Sequence, residues 1–216
     1  MDRSPLRIPG LTGAPAGPRP TSLQRLGGVA AISGAFLWPL GLVYAATGAF
    51  VACGGTPDCA PGREMMAPLA LAGALLTAGL AAMELRAPDP AGILDLVGAL
   101  SLATATALLV ISTILGSFAL VWPGFLLFMV GSMVIGASGW TGTRRSRMGS
   151  LCVGVGAATI VVFLVAGALA VGSGSTAGSL AESTMLGFLL FSLGWIWLGA
   201  QLALCRPLGT RTTSRP

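Results

Sequence analysis

Charged residues divide this chain into five long stretches that carry no charge, namely 26–57, 65–83, 96–143, 148–181 and 183–205. A transmembrane helix needs roughly 20 predominantly apolar residues, so each stretch can hold one such helix. The stretch 96–143 is long enough for two. The pattern therefore predicts an all-α fold, a polytopic bundle of six membrane-spanning helices.

A turn is expected between the third and the fourth helix, inside the longest uncharged stretch. Glycine and serine occur there at Gly116 and Ser117, and Trp122, Pro123 and Gly124 follow. Proline suits the first turn of a helix, and tryptophan suits the interface between membrane and water. The six helices are predicted at about 27–52, 65–85, 92–114, 120–140, 149–171 and 184–205.

The segment 114–139 resembles the paired-helix unit of the acid-resistance membrane protein family, whose units carry Trp-Pro-Gly at this point. The resemblance is limited to this tripeptide and the two helices around it. The other two predicted hairpins lack the motif. No activity, partner or site residue is therefore inferred from it.

The composition is that of a membrane protein. Of the 216 residues, 54% are hydrophobic and 9% are charged, and the mean hydropathy is +0.86. Soluble domains are about one quarter charged, which excludes that class. All 12 basic residues are arginine, and alanine and glycine dominate the apolar stretches. This bias is typical of a GC-rich bacterial genome.

The distribution of arginine predicts the orientation. With six spans and a cytoplasmic N-terminus, eleven arginines lie in cytoplasmic segments and Arg63 alone lies outside. Cytoplasmic segments of membrane proteins are enriched in basic residues, so this asymmetry favours both termini in the cytoplasm. If the stretch 96–143 held a single span, the tally would become five against seven. We therefore predict a multi-pass protein of the bacterial cytoplasmic membrane.

The predicted organisation is one transmembrane domain between two tails. Residues 1–25 contain five prolines and little apolar periodicity, which indicates a flexible cytoplasmic tail rich in proline and arginine. The apolar stretch that follows is longer than the roughly 7–15 residues of a cleavable signal sequence. The transmembrane domain is expected over 26–206, and a second cytoplasmic tail over 207–216.

Asp95 is a candidate site residue because ionisable groups are costly inside a bilayer. It begins the third helix on the same face as Ala99, Ala103 and Ala107, so we expect it to point into the bundle. Two interpretations remain open. Asp95 either forms a proton or cation site or is simply an acidic residue in a first helical turn, where the helix dipole favours it.

A polar path between the third and the sixth helix is a further hypothesis. Ser101 and Thr104 make the third helix the most polar span, and Gln201 shares a stripe with two glycines on the sixth. Together with Asp95 these residues form the candidate path. The alternative is that the hydroxyl groups bond to carbonyls of their own helix.

Pro39 is expected to kink the first helix, because proline removes a backbone hydrogen bond from a helix interior. The pair Trp38-Pro39 recurs as Trp122-Pro123. A three-plus-three repeat around these pairs would be inverted, and inverted repeats with broken helices are typical of transporters. The alternative is a kink at the first position and a helix start at the second.

Cys53 and Cys59 fall together in the first predicted outside loop, CGGTPDCAPG. In an oxidising compartment outside the cytoplasm, two thiols closing a short loop favour a disulfide bond. A redox-active pair is the alternative, although the spacing is longer than Cys-x-x-Cys. A third interpretation is that Phe50 to Cys53 form a lipoprotein-like cleavage box.

A basic loop is predicted on the cytoplasmic side, where Arg144, Arg145 and Arg147 lie close together. Such a cluster can bind anionic lipid headgroups or the acidic patch of a partner. The positive-inside rule explains the same residues as a topology signal alone.

The residue inventory argues against catalysis. Without histidine the chain has no zinc-protease motif and no Ser-His-Asp triad, and without lysine it forms no Schiff base. We predict that the protein is not an enzyme and has no cofactor and no metal site. Nucleic acid is not expected as a partner, because the arginines lie at the edges of the apolar stretches without interleaved aromatic residues.

These observations lead to one functional hypothesis and two alternatives. The leading hypothesis is a non-catalytic interaction or accessory component of the membrane. Its partners would be the lipid bilayer and either other membrane proteins or a second copy of itself. The first alternative is a transporter or channel for a small solute or ion, using Pro39, Asp95 and Gln201. The second is a redox protein acting through Cys53 and Cys59.

Overall fold

The computed structural model describes residues 21–53, 63–86, 92–141, 146–172 and 178–204, which form six long helices and one short 3-10 turn. All six helices are long and apolar enough to cross a membrane, as the uncharged stretches predicted. Their bounds are α1 Ser22–Cys53, α2 Arg63–Arg86, α3 Ile93–Leu115, α4 Val121–Thr141, α5 Arg147–Gly172 and α6 Gly178–Leu204.

Helix α1 begins at Ser22, inside the segment predicted to be a tail. The backbone N–H of Thr21 donates to Oε1 of Gln24 at 3.2 Å, and the backbone N–H of Gln24 donates to Oγ1 of Thr21 at 3.4 Å. This reciprocal pair is a capping box, which satisfies two backbone donors at a helix start. Residues 1–20 and 205–216, which hold the rest of the predicted tails, lie outside the described residues.

The connection between α3 and α4 lies where the turn was predicted. Gly116 ends α3 in the left-handed conformation, with φ 66°, and its N–H donates to the carbonyl of Ser112. Glycine is favoured there because it has no Cβ to clash. A 3-10 helix over Phe118–Leu120 follows, and α4 then places Pro123 in its first turn.

The six helices form a closed circle in chain order. Each helix packs against the next, and α6 packs against α1. Neighbouring helices are antiparallel. On α1, Gly27 faces Ala82 of α2, while Gly41 faces Leu69. We call the end at which α1, α3 and α5 begin the arginine end, because Arg25 and Arg147 lie there.

Glycines form the closest contacts between neighbouring helices. A Cβ added to Gly136 of α4 would lie 2.5 Å from Cα of Gly154 on α5. A Cβ added to Gly28 of α1 would lie 2.6 Å from the carbonyl oxygen of Gly199 on α6, where the circle closes. Lipid tails are as apolar as leucine, so membrane helices associate through close packing at small residues.

The interior of the circle is filled by aromatic side chains from α1, α4 and α6. Trp38 of α1 stacks on Phe128 of α4, with ring centroids 4.3 Å apart. Phe191 of α6 lies 6.2 Å from Trp38, and Trp195 lies 6.4 Å from Phe191. All four side chains have no exposed surface. Aromatic packing thus joins α1, α4 and α6 across the centre.

The prediction that Ala99, Ala103 and Ala107 form the packed face of α3 was wrong for two of these residues, since only Ala99 packs against the core. Ala103 and Ala107 are exposed, whereas the buried face of α3 comprises Gly98, Leu102, Ala105, Leu109 and Ser112. The reason is that lipid and protein interior are both apolar, so polarity does not separate the two faces of a membrane helix. The face of α3 that is buried is the one whose leucines, Leu102 and Leu109, pack between α2 and α4.

Candidate functional site

Asp95 lies in the first turn of α3 and caps its own helix. Its Oδ2 accepts a hydrogen bond from the backbone N–H of Gly92 at 3.3 Å. The side chain is partly buried at the arginine end. The geometry is that of an acidic residue at a helix start, the second of the two interpretations of this carboxylate.

The structure does not bring the residues of the predicted polar path together. Helix α3 packs against α2 and α4, while α6 packs against α5 and α1. On α3, Ser101 is partly buried and Thr104 is exposed, and Gln201 is partly buried on α6. Ser101 and Thr104 on α3 therefore do not form a continuous polar surface with Gln201 on α6.

Other hydroxyl groups of the polar helix serve packing. Oγ1 of Thr113 donates to the carbonyl of Leu109 at 2.9 Å, which is a bond within the helix. Oγ1 of Thr77 on α2 and Oγ1 of Thr106 on α3 are 2.8 Å apart and share a hydrogen bond. Bonds of this kind between membrane helices stabilise by about 0.6 kcal/mol on average.

The two Trp-Pro pairs occupy different places in the structure. Trp38 is buried in the centre of the bundle, and Pro39 lies inside the continuous helix α1. Trp122 is 52% exposed at the start of α4. The kink at Pro39 stays a prediction. The arrangement favours a helix-interior proline at one position and a helix start at the other.

The predicted disulfide and most of the basic loop fall on parts of the chain that are not described. Cys53 is the last residue of α1, whereas Cys59 lies outside the described residues. Arg144 and Arg145 lie outside them as well. Arg147 begins α5 and is exposed, and its predicted contact with anionic lipid stays a prediction.

A groove on the outer face of α6 is the candidate binding site, and it was missed at the level of sequence except for Gln201. Trp197, Ala200, Gln201 and Leu204 line it, and its volume is about 170 Å³. These positions follow the spacing i, i+3, i+4 and i+7 of one helix face. The small Ala200 forms the floor between two larger side chains.

Contacts with α5 hold Trp197 at the edge of this groove. Its Nε1–H donates to Oγ of Ser146 at 3.1 Å. A Cβ added to Gly149 would lie 3.0 Å from Cδ1 of the indole, so the ring packs on the first turn of α5. Tryptophan near the end of an apolar helix is typical of a membrane interface. This feature of the sequence could have identified Trp197.

The buried polar side chains among the described residues are all serines. Ser132 and Ser138 donate to carbonyls of their own helix at 2.8 and 2.9 Å. The indole N–H groups of Trp38 and Trp195 and the hydroxyl of Ser192 have no hydrogen-bond partner within the described part of the chain. These three groups lie in or beside the aromatic centre.

Within the described ranges, histidine, cysteine and acidic residues do not come together in groups of three or more that could hold a metal ion. The described part of the chain thus contains a packed aromatic centre and a groove at the arginine end of α6. No protein-family model matches the chain, and no curated protein or solved structure matches it.

Proposed function

We propose that the chain is a non-catalytic interaction or accessory component of the bacterial cytoplasmic membrane. The observation that carries this proposal is the packing of Trp38 on Phe128, with Phe191 beside them, in the centre of the helix circle. A solute would have to cross the bundle there, and interlocked rings leave it no room. The partners are the lipid bilayer and either other membrane proteins or a second copy of the chain.

The positions of exposed tryptophans support the membrane placement. Trp140 and Trp197 are 62% and 49% exposed at the arginine end, and Trp122 is 52% exposed at the opposite end. Tryptophan gathers at both interfaces of a bilayer. The same arginine end faces the cytoplasm in our proposal, because basic residues are retained on that side.

Cysteine labelling tests this orientation. In a variant without the four native cysteines, Asp58→Cys and Gly178→Cys are expected to react with a membrane-impermeant maleimide on intact cells. Arg145→Cys should react only after the membrane is permeabilised, because the arginine-rich loop lies inside. Labelling of position 145 alone on intact cells would contradict the proposed topology.

Transport is the second candidate function, and the centre of the bundle supplies the observation that favours it. The indole N–H groups of Trp38 and Trp195 and the hydroxyl of Ser192 are buried without an acceptor among the described residues. A polar solute could accept hydrogen bonds from them. Transport would require the stacked rings to separate. An accessory protein does not need its bundle to open in this way.

A flux measurement separates the two functions. Purified protein in proteoliposomes is expected to carry no more flux of ions and small neutral solutes than protein-free liposomes, because the centre is packed. Asp95→Asn should behave like the wild type, since Asp95 caps its own helix. A flux that Asp95→Asn or Trp195→Phe abolishes would contradict the accessory function and support transport.

A further inference from the structure

The groove on α6 has the shape and lining of a site for a lipid chain. Over seven residues it runs about 10 Å along the helix towards the arginine end. Trp197 and Leu204 stand on either side of Ala200, and 70% of Leu204 is exposed. An extended hydrocarbon segment can lie in such a depression and bury the apolar surfaces that flank it.

Exposed arginines lie in the first turns of the two helices that pack beside α6 at this end. The first turn of α1 and the first turn of α5 each contain an arginine and no acidic residue. Arg147 is exposed and directly follows Ser146, the residue whose hydroxyl holds the indole of Trp197. Arg25 is exposed in the first turn of α1, which contacts α6 through Gly28 and Gly199.

Among the described residues, the carboxylates at the same end belong to α2 and α3. Asp95 on α3 is committed to its own helix start, and Glu84 lies near the end of α2. Neither α2 nor α3 lines the groove, because its lining residues all belong to α6, and α6 packs mainly against α5 and α1. The described charges on α1 and α5 at this end are therefore positive, which favours an anion in the groove.

We propose that this groove binds an anionic phospholipid. One acyl chain lies along Trp197, Ala200 and Leu204, and the phosphate lies near Arg147. The amide of Gln201 lines the same groove and can donate to an ester or phosphate oxygen. Apolar lining beside basic residues is the pattern with which membrane proteins recognise acidic lipids at the cytoplasmic surface. The inference rests on the proposed membrane function and names one of its partners.

Native mass spectrometry of the purified full chain tests the lipid site. The protein is mixed with phosphatidylglycerol or with phosphatidylcholine of the same acyl chains. The wild type is expected to retain phosphatidylglycerol preferentially. Arg147→Gln should lower that retention about fivefold, the size of one lost basic contact at an anionic surface. Trp197→Ala should lower retention of both lipids, because it removes a wall of the groove.

Matched controls are available on the same chain. Trp140→Ala removes another exposed tryptophan at the arginine end, and Arg63→Gln removes an arginine at the opposite end. Both variants should retain phosphatidylglycerol like the wild type. Ala200→Leu fills the floor of the groove without removing any contact, so it should weaken retention even if Trp197→Ala reduces folding.

Three results would overturn the proposal. Equal retention in all variants would mean that the lipid does not occupy this groove, and equal retention of both lipids by the wild type would remove the role of charge. A dimer that Ala200→Leu dissociates would make a second copy the occupant. Lipid binding is measured in detergent and does not depend on the orientation of the protein in a membrane. A reversed pattern of cysteine labelling would therefore refute the proposed topology without affecting the test of the lipid site.

Discussion

Gly136→Ala is expected to destabilise the bundle by about 2 kcal/mol. The added Cβ would lie 2.5 Å from Cα of Gly154 and 2.9 Å from the carbonyl oxygen of Ser150. Backbone atoms cannot turn aside as a side chain can, so the clash costs about 3 kcal/mol. The higher helix propensity of alanine returns about 1 kcal/mol. Thermal unfolding in detergent should show a midpoint lowered by about 4–8 °C.

Gly73→Ala is the matched control for this substitution. Gly73 is also a buried glycine in a helix interior, but a Cβ there would meet Oγ1 of Thr106 at 3.4 Å, an ordinary contact. Helix propensity alone then acts, and the variant should be as stable as the wild type or more stable by up to about 1 kcal/mol. Equal midpoints for Gly136→Ala and Gly73→Ala would contradict the close crossing of α4 and α5.

The largest loss of stability is expected from Trp38→Ala. The indole has no exposed surface and touches rings from two helices that are not neighbours of α1 in the chain. Removing it leaves a cavity in the centre of the bundle, and such changes cost about 3–5 kcal/mol in buried cores. The midpoint of thermal unfolding should fall by on the order of 10 °C.

Two further variants separate the role of the buried ring from that of tryptophan in general. Trp140→Ala removes an indole that is 62% exposed and should shift the midpoint only slightly. Trp38→Phe keeps a ring for stacking and removes an N–H group that has no acceptor among the described residues. Its cost should therefore stay below about 1.5 kcal/mol. A loss as large as that of Trp38→Ala would contradict the expectation that ring stacking is the main contribution of Trp38.

The helix count and the turn between α3 and α4 were predictable because both depend on neighbouring residues. The length of an uncharged stretch shows directly whether it can hold a membrane-spanning helix. Glycine at position 116 allows the left-handed conformation that ends α3. The start of α1 was predicted too late. Its signal, Thr21 followed by Gln24 at capping-box spacing, was present in the sequence.

The candidate site was less predictable, since its parts come together only in the folded chain. Gln201 was selected for its stripe on one helix, but Trp197 and Ser146 are 51 positions apart and join α5 to α6. Asp95 was selected because an ionisable group is costly in a bilayer, and only the structure showed that it accepts a bond from Gly92 at its own helix start. Local spacing carries no information about which distant helix a side chain will meet.

The sequence by itself determined the number of apolar helices, their approximate bounds and the bias of arginine towards one end, because charge is expelled from a bilayer wherever it occurs. Only the tertiary structure decided which helix faces are covered, with Gly98 and Leu102 buried on α3 and Ala103 exposed. Every face of these helices is apolar, so close fit between surfaces, rather than polarity, selects the face that packs.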